Sequence, residues 1–517
     1  MEKKVKDIFS SNVIIIFSIF LFLFLLPIYS KINFHQNDDW AFSKSVESFL
    51  SRDFSSVPIK IMGKSAPLFY TQGIIGYIFS LAFGLSSLPI LTLLISIGCF
   101  YLLNRILLDF FNKKLWEALL ISFFFFVNPI FIYSSIGFMT ENYFLFSALL
   151  SMYFFERYKK DESWKNLLLI NLGIVLAFFV RQIALVISVG LFVELFKKKN
   201  WKHISVHCFL NLLLFIFYYF YYYTSSSYSY SGFNLMKFKQ WDYFRSLFIS
   251  FFIYISAFLF PFLILRFTKL LKSLNKYQRI LIFILYFLLV VLFKENFIPD
   301  ALFKGEFPYL GNTFMRKGFY ADGVHGTKYQ FVGVYDLYSY WNLAAFYLSP
   351  IFLVLFLFKI KDFIGFYGIS ILTYIAFMMF LPVVYDRYLG FLLLLVLLFF
   401  LSKLSIDKLY KKLFIGAFLI FQLIISYQFS MDFILGRRYI WSKSERLSRD
   451  GVNSSNIMST FAFRKIYSRG DDFDYLFSYD SPEILRDDVC CKNLIETYEV
   501  KYPCNFFISP KIYLYER

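Results

Sequence analysis

Residues 12–30 read NVIIIFSIFLFLFLLPIYS, nineteen positions with no charged side chain. About 20 apolar residues in one helix cross the roughly 30 Å hydrocarbon core of a bilayer. Because this stretch is apolar on every face, it fits lipid or the centre of a large bundle better than a water-facing surface. The same character returns at 88–104, 117–135, 141–156, 166–180, 183–196, 204–223, 244–265, 280–293, 338–358, 363–382, 389–402 and 413–430. With the first segment this gives about 13 candidate spans, several of them short. Composition agrees: of 517 residues 59% are apolar, 23% aromatic and 17% charged, and 74 are phenylalanine. A soluble globular chain carries about 25% charged residues, so a soluble enzyme is excluded. Disordered, collagenous and coiled-coil chains are excluded on the same figures.

The formal charge of +18 has a topological reading. With Met1-Glu2-Lys3-Lys4 in the cytoplasm, the inner loops hold Arg105, Lys113, Lys114, Arg157, Lys159, Lys160, Lys197, Lys198, Lys199 and Lys202. Further along they hold Arg266, Lys269, Lys272, Lys276, Arg279, Lys403, Lys408, Lys411 and Lys412. Short loops rich in Lys and Arg stay inside, so nucleic acid is not needed to explain the charge. The alternation requires that 66–84, interrupted by Gly73, Gly76 and Gly84, lies in the outer face without crossing. Leu26-Pro27-Ile28-Tyr29-Ser30 lacks a small-x-small cleavage site, so the first span reads as an uncleaved anchor.

The expected fold class is an all-α polytopic membrane protein, N-terminus in and C-terminus out, with a small external C-terminal α/β domain. Residues 1–431 form the transmembrane domain, with outer loops at 31–87 and 294–337, and 432–517 form the external domain. That tail is polar, with 13 basic and 13 acidic residues. In an oxidising compartment Cys504 could pair with Cys490 or Cys491, or all three could be unpaired thiols. Cys99 and Cys208 fall in spans as ordinary packing.

The unusual residues cluster in outer segments. Asn37-Asp38-Asp39-Trp40 places two carboxylates near a membrane exit, where charge is costly. Glu141, in Thr140-Glu141-Asn142, either complements a helix start capped by Thr140 or adds an acid to the same external cavity. Arg181 interrupts the apolar run 167–196 at the turn between two short helices; it either snorkels to the interface or holds an anionic headgroup. Arg387, in Tyr385-Asp386-Arg387-Tyr388, either pairs locally with Asp386 or faces the same cavity. Asp38, Glu141 and Arg181 are expected to converge just beyond the hydrocarbon around one pocket.

Several of these features occur together in one order: Asp38-Asp39-Trp40-Ala41-Phe42, matching D-[DE]-x-x-[YF]; the proline-bearing Lys64-Ser65-Ala66-Pro67; Asn128-Pro129 followed by Thr140-Glu141; and Arg181 in a short helix pair. The series resembles the GT-C glycosyltransferases, in particular the protein mannosyltransferase and lipid A aminoarabinose transferase branch, over residues 1–200 and in the general layout. The resemblance implies inverting transfer of a sugar from a polyprenyl-phosphate donor to a hydroxyl of a glycan, lipid or protein acceptor. The implied setting is the outer face of a bacterial inner membrane, among membrane lipids. Asp38 would be the base, Asp39 and Glu141 its catalytic companions, and Arg181, Lys64 and Arg387 the donor-phosphate residues. Metal dependence varies in that family; the candidates for a divalent ion are Asp39, Glu141 and His325. The long loop 294–337 is expected to act as a lid on the acceptor side. Two other readings from the residues are a flippase or transporter and a polymerase of lipid-linked glycans.

Overall fold

The computed structural model describes residues 2–52, 69–224, 240–315, 318–319, 324, 334–381, 383–402, 404–467, 473–482, 493–505 and 510–517. The first part of the chain forms α1 (Glu2–Tyr29), α2 (Asp39–Leu50), α3 (Tyr70–Phe83), α4 (Leu88–Asp109), α5 (Leu115–Phe126), α6 (Pro129–Ser135), α7 (Thr140–Lys160), α8 (Trp164–Phe178), α9 (Leu185–Lys197) and α10 (Trp201–Thr224). Then come α11 (Trp241–Lys272), α12 (Lys276–Asn296), α13 (Val334–Leu348), α14 (Pro350–Phe358), α15 (Ile360–Phe363), α16 (Phe366–Met379), α17 (Leu389–Leu401) and α18 (Leu409–Arg449). A short hairpin, β1 (Phe314–Met315) and β2 (Gly318–Phe319), lies between α12 and α13. The tail adds β3 (Ile457–Met458), α19 (Phe461–Tyr467), β4 (Tyr475–Ser478), β5 (Asn493–Glu499) and β6 (Lys511–Glu516).

Among the described residues seven helices are long and apolar enough to cross a membrane, or up to eight if α5 and α6 form one bent span. The other expected spans form shorter or more polar helices. Asn128-Pro129 explains the bend of 70° between α5 and α6: the proline cannot donate a backbone hydrogen bond, and the Asn128 side chain accepts from the Ile130 N–H to start the second helix. The expected span 338–358 is one of the seven, running through the junction of α13 and α14 at Ser349-Pro350. All thirteen residues of α17 are buried, as its uniformly apolar sequence requires.

The glycines of 66–84 do not break α3. A Cβ on Gly73 would lie 2.8 Å from the Phe49 ring, and one on Gly76 would lie 2.8 Å from Phe138. They permit close packing on α2, while Ile78 and Leu81 on the other face are more than half exposed. Gly84, at φ +77°, does end the helix.

The bundle has two distinct ends. α7 runs from Thr140 at one end to Lys160 at the other, and α8 returns. The Lys160 end is basic: Lys160 donates to the Asp109 carbonyl, Lys198 pairs with Glu162 at 2.7 Å, and Lys412 sits 3.8 Å over the Trp116 ring.

The tail carries a four-stranded sheet of order β3-β4-β6-β5, parallel at β3–β4 and antiparallel elsewhere. It packs on the second half of α18, where Tyr439 stacks on Tyr498 at 4.0 Å and Lys443 pairs with Glu496. The division expected at 431/432 falls inside α18, which runs without interruption from the bundle into the tail. Cys504 is a free thiol; Cys490 and Cys491 lie outside the described residues.

Candidate functional site

Short-range contacts fix the start of α2. Asp39 is 1% exposed, and its carboxylate accepts the N–H groups of Asn37 at 3.0 Å and Phe138 at 3.3 Å. Gln36 donates to the Tyr133 carbonyl, and Asn37 donates to the Asn312 side chain at 3.1 Å. Gly137 makes this approach possible: its φ is +83°, and a Cβ there would lie 2.6 Å from an Asp39 oxygen. Asp39 therefore ties two turns together, leaving its neighbour Asp38 at the head of the helix to meet Arg387.

Asp38 Oδ2 accepts from Arg387 Nη2 at 2.9 Å. Arg387 Nε lies 3.4 Å from Glu141 Oε1, and the same oxygen accepts from Arg181 Nη2 at 2.7 Å. Arg181 Nε donates to the Thr140 hydroxyl at 2.8 Å. The result is a continuous chain of alternating charge, Asp38–Arg387–Glu141–Arg181, assembled from four separate parts of the sequence. Arg387 and Glu141 are 5% and 6% exposed, Arg181 19% and Asp38 25%. The inner pair is desolvated, whereas the two ends reach solvent. Burial opposes the charge on Arg387, but Glu141, Tyr388 and Asp38 outweigh it and hold the guanidinium well above its ordinary value.

Two sequence alternatives resolve differently from their local reading. Thr140 is not the N-cap of α7, since Met139 occupies that place; its hydroxyl serves Arg181. The Arg387 guanidinium turns away from Asp386, which accepts the Arg387 backbone N–H at 2.8 Å and leaves the side chain for Asp38 and Glu141. Tyr388 was missed as a site residue. Its ring centroid lies 4.9 Å from the Arg181 guanidinium carbon and 5.7 Å from that of Arg387, so one aromatic ring steadies both cations. The adjacency of Tyr385 and Tyr388 to Arg387 was the available signal.

Glu141, Arg181, Arg387 and Tyr388 form the charged end of a narrow cleft of about 30 Å³ whose other walls include Ile130, Phe144, Met378 and Phe391. Arg387 Nη1 is buried and makes no hydrogen bond within the described chain, leaving a donor for an acceptor from outside. Residues 311–312, midway between α12 and α13, are tied to this end: Asn312 accepts from Asn37, and the Gly311 carbonyl accepts from the Asp386 N–H. Lys64 and His325 lie outside the described residues.

The carboxylates do not fit a metal site. Those of Asp39 are taken by backbone N–H groups, and Glu141 is held by two arginines. Among the described residues no group of three or more His, Cys, Asp or Glu side chains converges on a point that could hold an ion. No family model, no curated protein and no solved structure matches the chain.

Proposed function

We propose that the chain is a membrane glycosyltransferase that moves a sugar from a polyprenyl-phosphate donor to an acceptor hydroxyl, with Asp38 as base. The observation that carries this reading is the Asp38–Arg387–Glu141–Arg181 chain, whose last three members line a largely apolar cleft. An apolar cavity with cations at one end suits a ligand that is hydrocarbon at one end and phosphate at the other. A guanidinium matches phosphate oxygens with two donors, and the unpartnered Arg387 Nη1 is available for that contact.

In this mechanism the acceptor oxygen attacks the anomeric carbon as its proton passes to Asp38, and the bond from that carbon to the lipid-phosphate oxygen breaks with inversion. The leaving phosphate takes the electron pair, and its charge is met by Arg387 and Arg181. Asp38 Oδ2 is held by Arg387 Nη2. A phosphate beside Arg387 competes for the guanidinium and frees that oxygen for the acceptor proton. General-base help of this kind is worth roughly 10²–10⁴ in rate.

The site would face the exterior of a bacterial inner membrane, with the basic end of the bundle in the cytoplasm and about 13 spans between them. The test is mass spectrometry of surface glycans from cells carrying the wild-type chain or Asp38→Asn. Loss of one sugar, with normal protein level, is the expected result. An unchanged glycan removes Asp38 from the chemistry and favours a carrier of lipid-linked glycans.

A further inference from the structure

We propose that the basic end of the bundle holds a second, non-catalytic site for the phosphate-bearing headgroup of an anionic membrane lipid. It lies between α11, α14 and α15, in a pocket of about 410 Å³ at the opposite end from Asp38. Arg266 and Lys269 reach it from α11, Ser273 from the residue that caps that helix, Lys359 from the end of α14, and Asp362 from α15. Residues 266 and 269 are three apart, so α11 presents them on one face.

Three cations line this pocket against the carboxylate of Asp362, which lies 3.3 Å from Arg266 Nη2. The lining is therefore short of negative charge. Helix ends explain part of this, because α11 and α14 both finish here and cations complement their carbonyls. Arg266 is not explained in that way: it lies a turn and a half before the end of α11, and its side chain is 10% exposed. A guanidinium held that deep beside a polar cavity suits the fork of a phosphate. The surroundings favour a lipid as its source. Leu357, Ile360 and Ile364 beside Lys359 and Asp362 are each 49% exposed, so an acyl chain has apolar surface next to the headgroup position. Basic pockets at the cytoplasmic ends of spanning helices recognise anionic headgroups in this manner. The proposal does not depend on the catalytic reading.

The test uses the purified full-length chain in mixed micelles of phosphatidylglycerol and phosphatidylcholine, with bound lipid read by native mass spectrometry. Phosphatidylglycerol is expected to be retained preferentially. Lys269→Gln with Lys359→Gln should weaken that retention about twenty-five-fold, roughly fivefold for each lysine. Lys165→Gln with Lys202→Gln, which removes the same charge elsewhere at this end, should leave it unchanged. Asp362→Asn should raise retention severalfold, a change that loss of folding would not produce. The proposal is overturned by equal retention of the two lipids, by equal loss in both lysine pairs, or by a fall in Asp362→Asn. It is overturned equally if inorganic phosphate alone raises the melting temperature as much as phosphatidylglycerol does, which would mark a soluble-anion site.

Discussion

Replacing Glu141 by glutamine removes the carboxylate that bridges Arg181 and Arg387. Arg387 would then keep Asp38 alone and Arg181 only the Thr140 hydroxyl, and the more deeply placed of the two, Arg387, is 5% exposed. Breaking a buried ion pair by neutralising one member costs about 3–5 kcal/mol, because the remaining charge is stranded. Asp38→Asn is the contrasting change. Asp38 is 25% exposed, touches the network at one contact, and as asparagine still accepts from Arg387 Nη2. Its loss resembles that of a partly exposed pair, about 1 kcal/mol or less. The two variants should therefore differ by about 3 kcal/mol in resistance to unfolding, although both are expected to abolish sugar transfer. The assay is denaturant unfolding of the detergent-solubilised chain beside the glycan readout. Equal destabilisation by the two changes would show that Asp38 is a structural member of the cluster, and the assignment of a base would fail.

Asp39→Ala would leave the buried N–H groups of Asn37 and Phe138 without an acceptor and is expected to cost about 2–4 kcal/mol, with Asp38 displaced and transfer lost even in the folded fraction. Gly76→Val would drive a side chain into Phe138 and Val46, 2.8 and 2.9 Å from its Cβ; a loss of about 1–3 kcal/mol in the same unfolding assay is expected, against little change for Gly416→Ala, which meets nothing within 4 Å. Burial lowers the pKa of His35, Asp39 opposes that and Lys44 adds to it, so the folded chain holds a neutral ring that the unfolded chain protonates near pH 6.5. Stability should be constant above about pH 6.5 and decline below it, and His35→Gln should flatten a melting series between about pH 8 and pH 5.

Seven of the apolar segments were legible because span length is a local property of a sequence. Asn128-Pro129 was read inside one span, 117–135, although it bends the chain there. What escaped is what distant partners decide. Nothing within a few residues of Arg387 says that its guanidinium will pass over the adjacent Asp386 for an acid 349 positions earlier. Thr140 stands where a helix cap belongs, yet the arrival of Arg181 gives its hydroxyl another partner. Gly73 and Gly76 look like breaks in isolation and serve as contact points once Phe49 and Phe138 are in place. Local rules propose the cheapest nearby partner for a polar group. A desolvated cluster overrides them, since a buried guanidinium gains more from two carboxylates than from one exposed neighbour. For the same reason the cluster could be expected from four unmatched charges at helix ends, while its wiring required the fold.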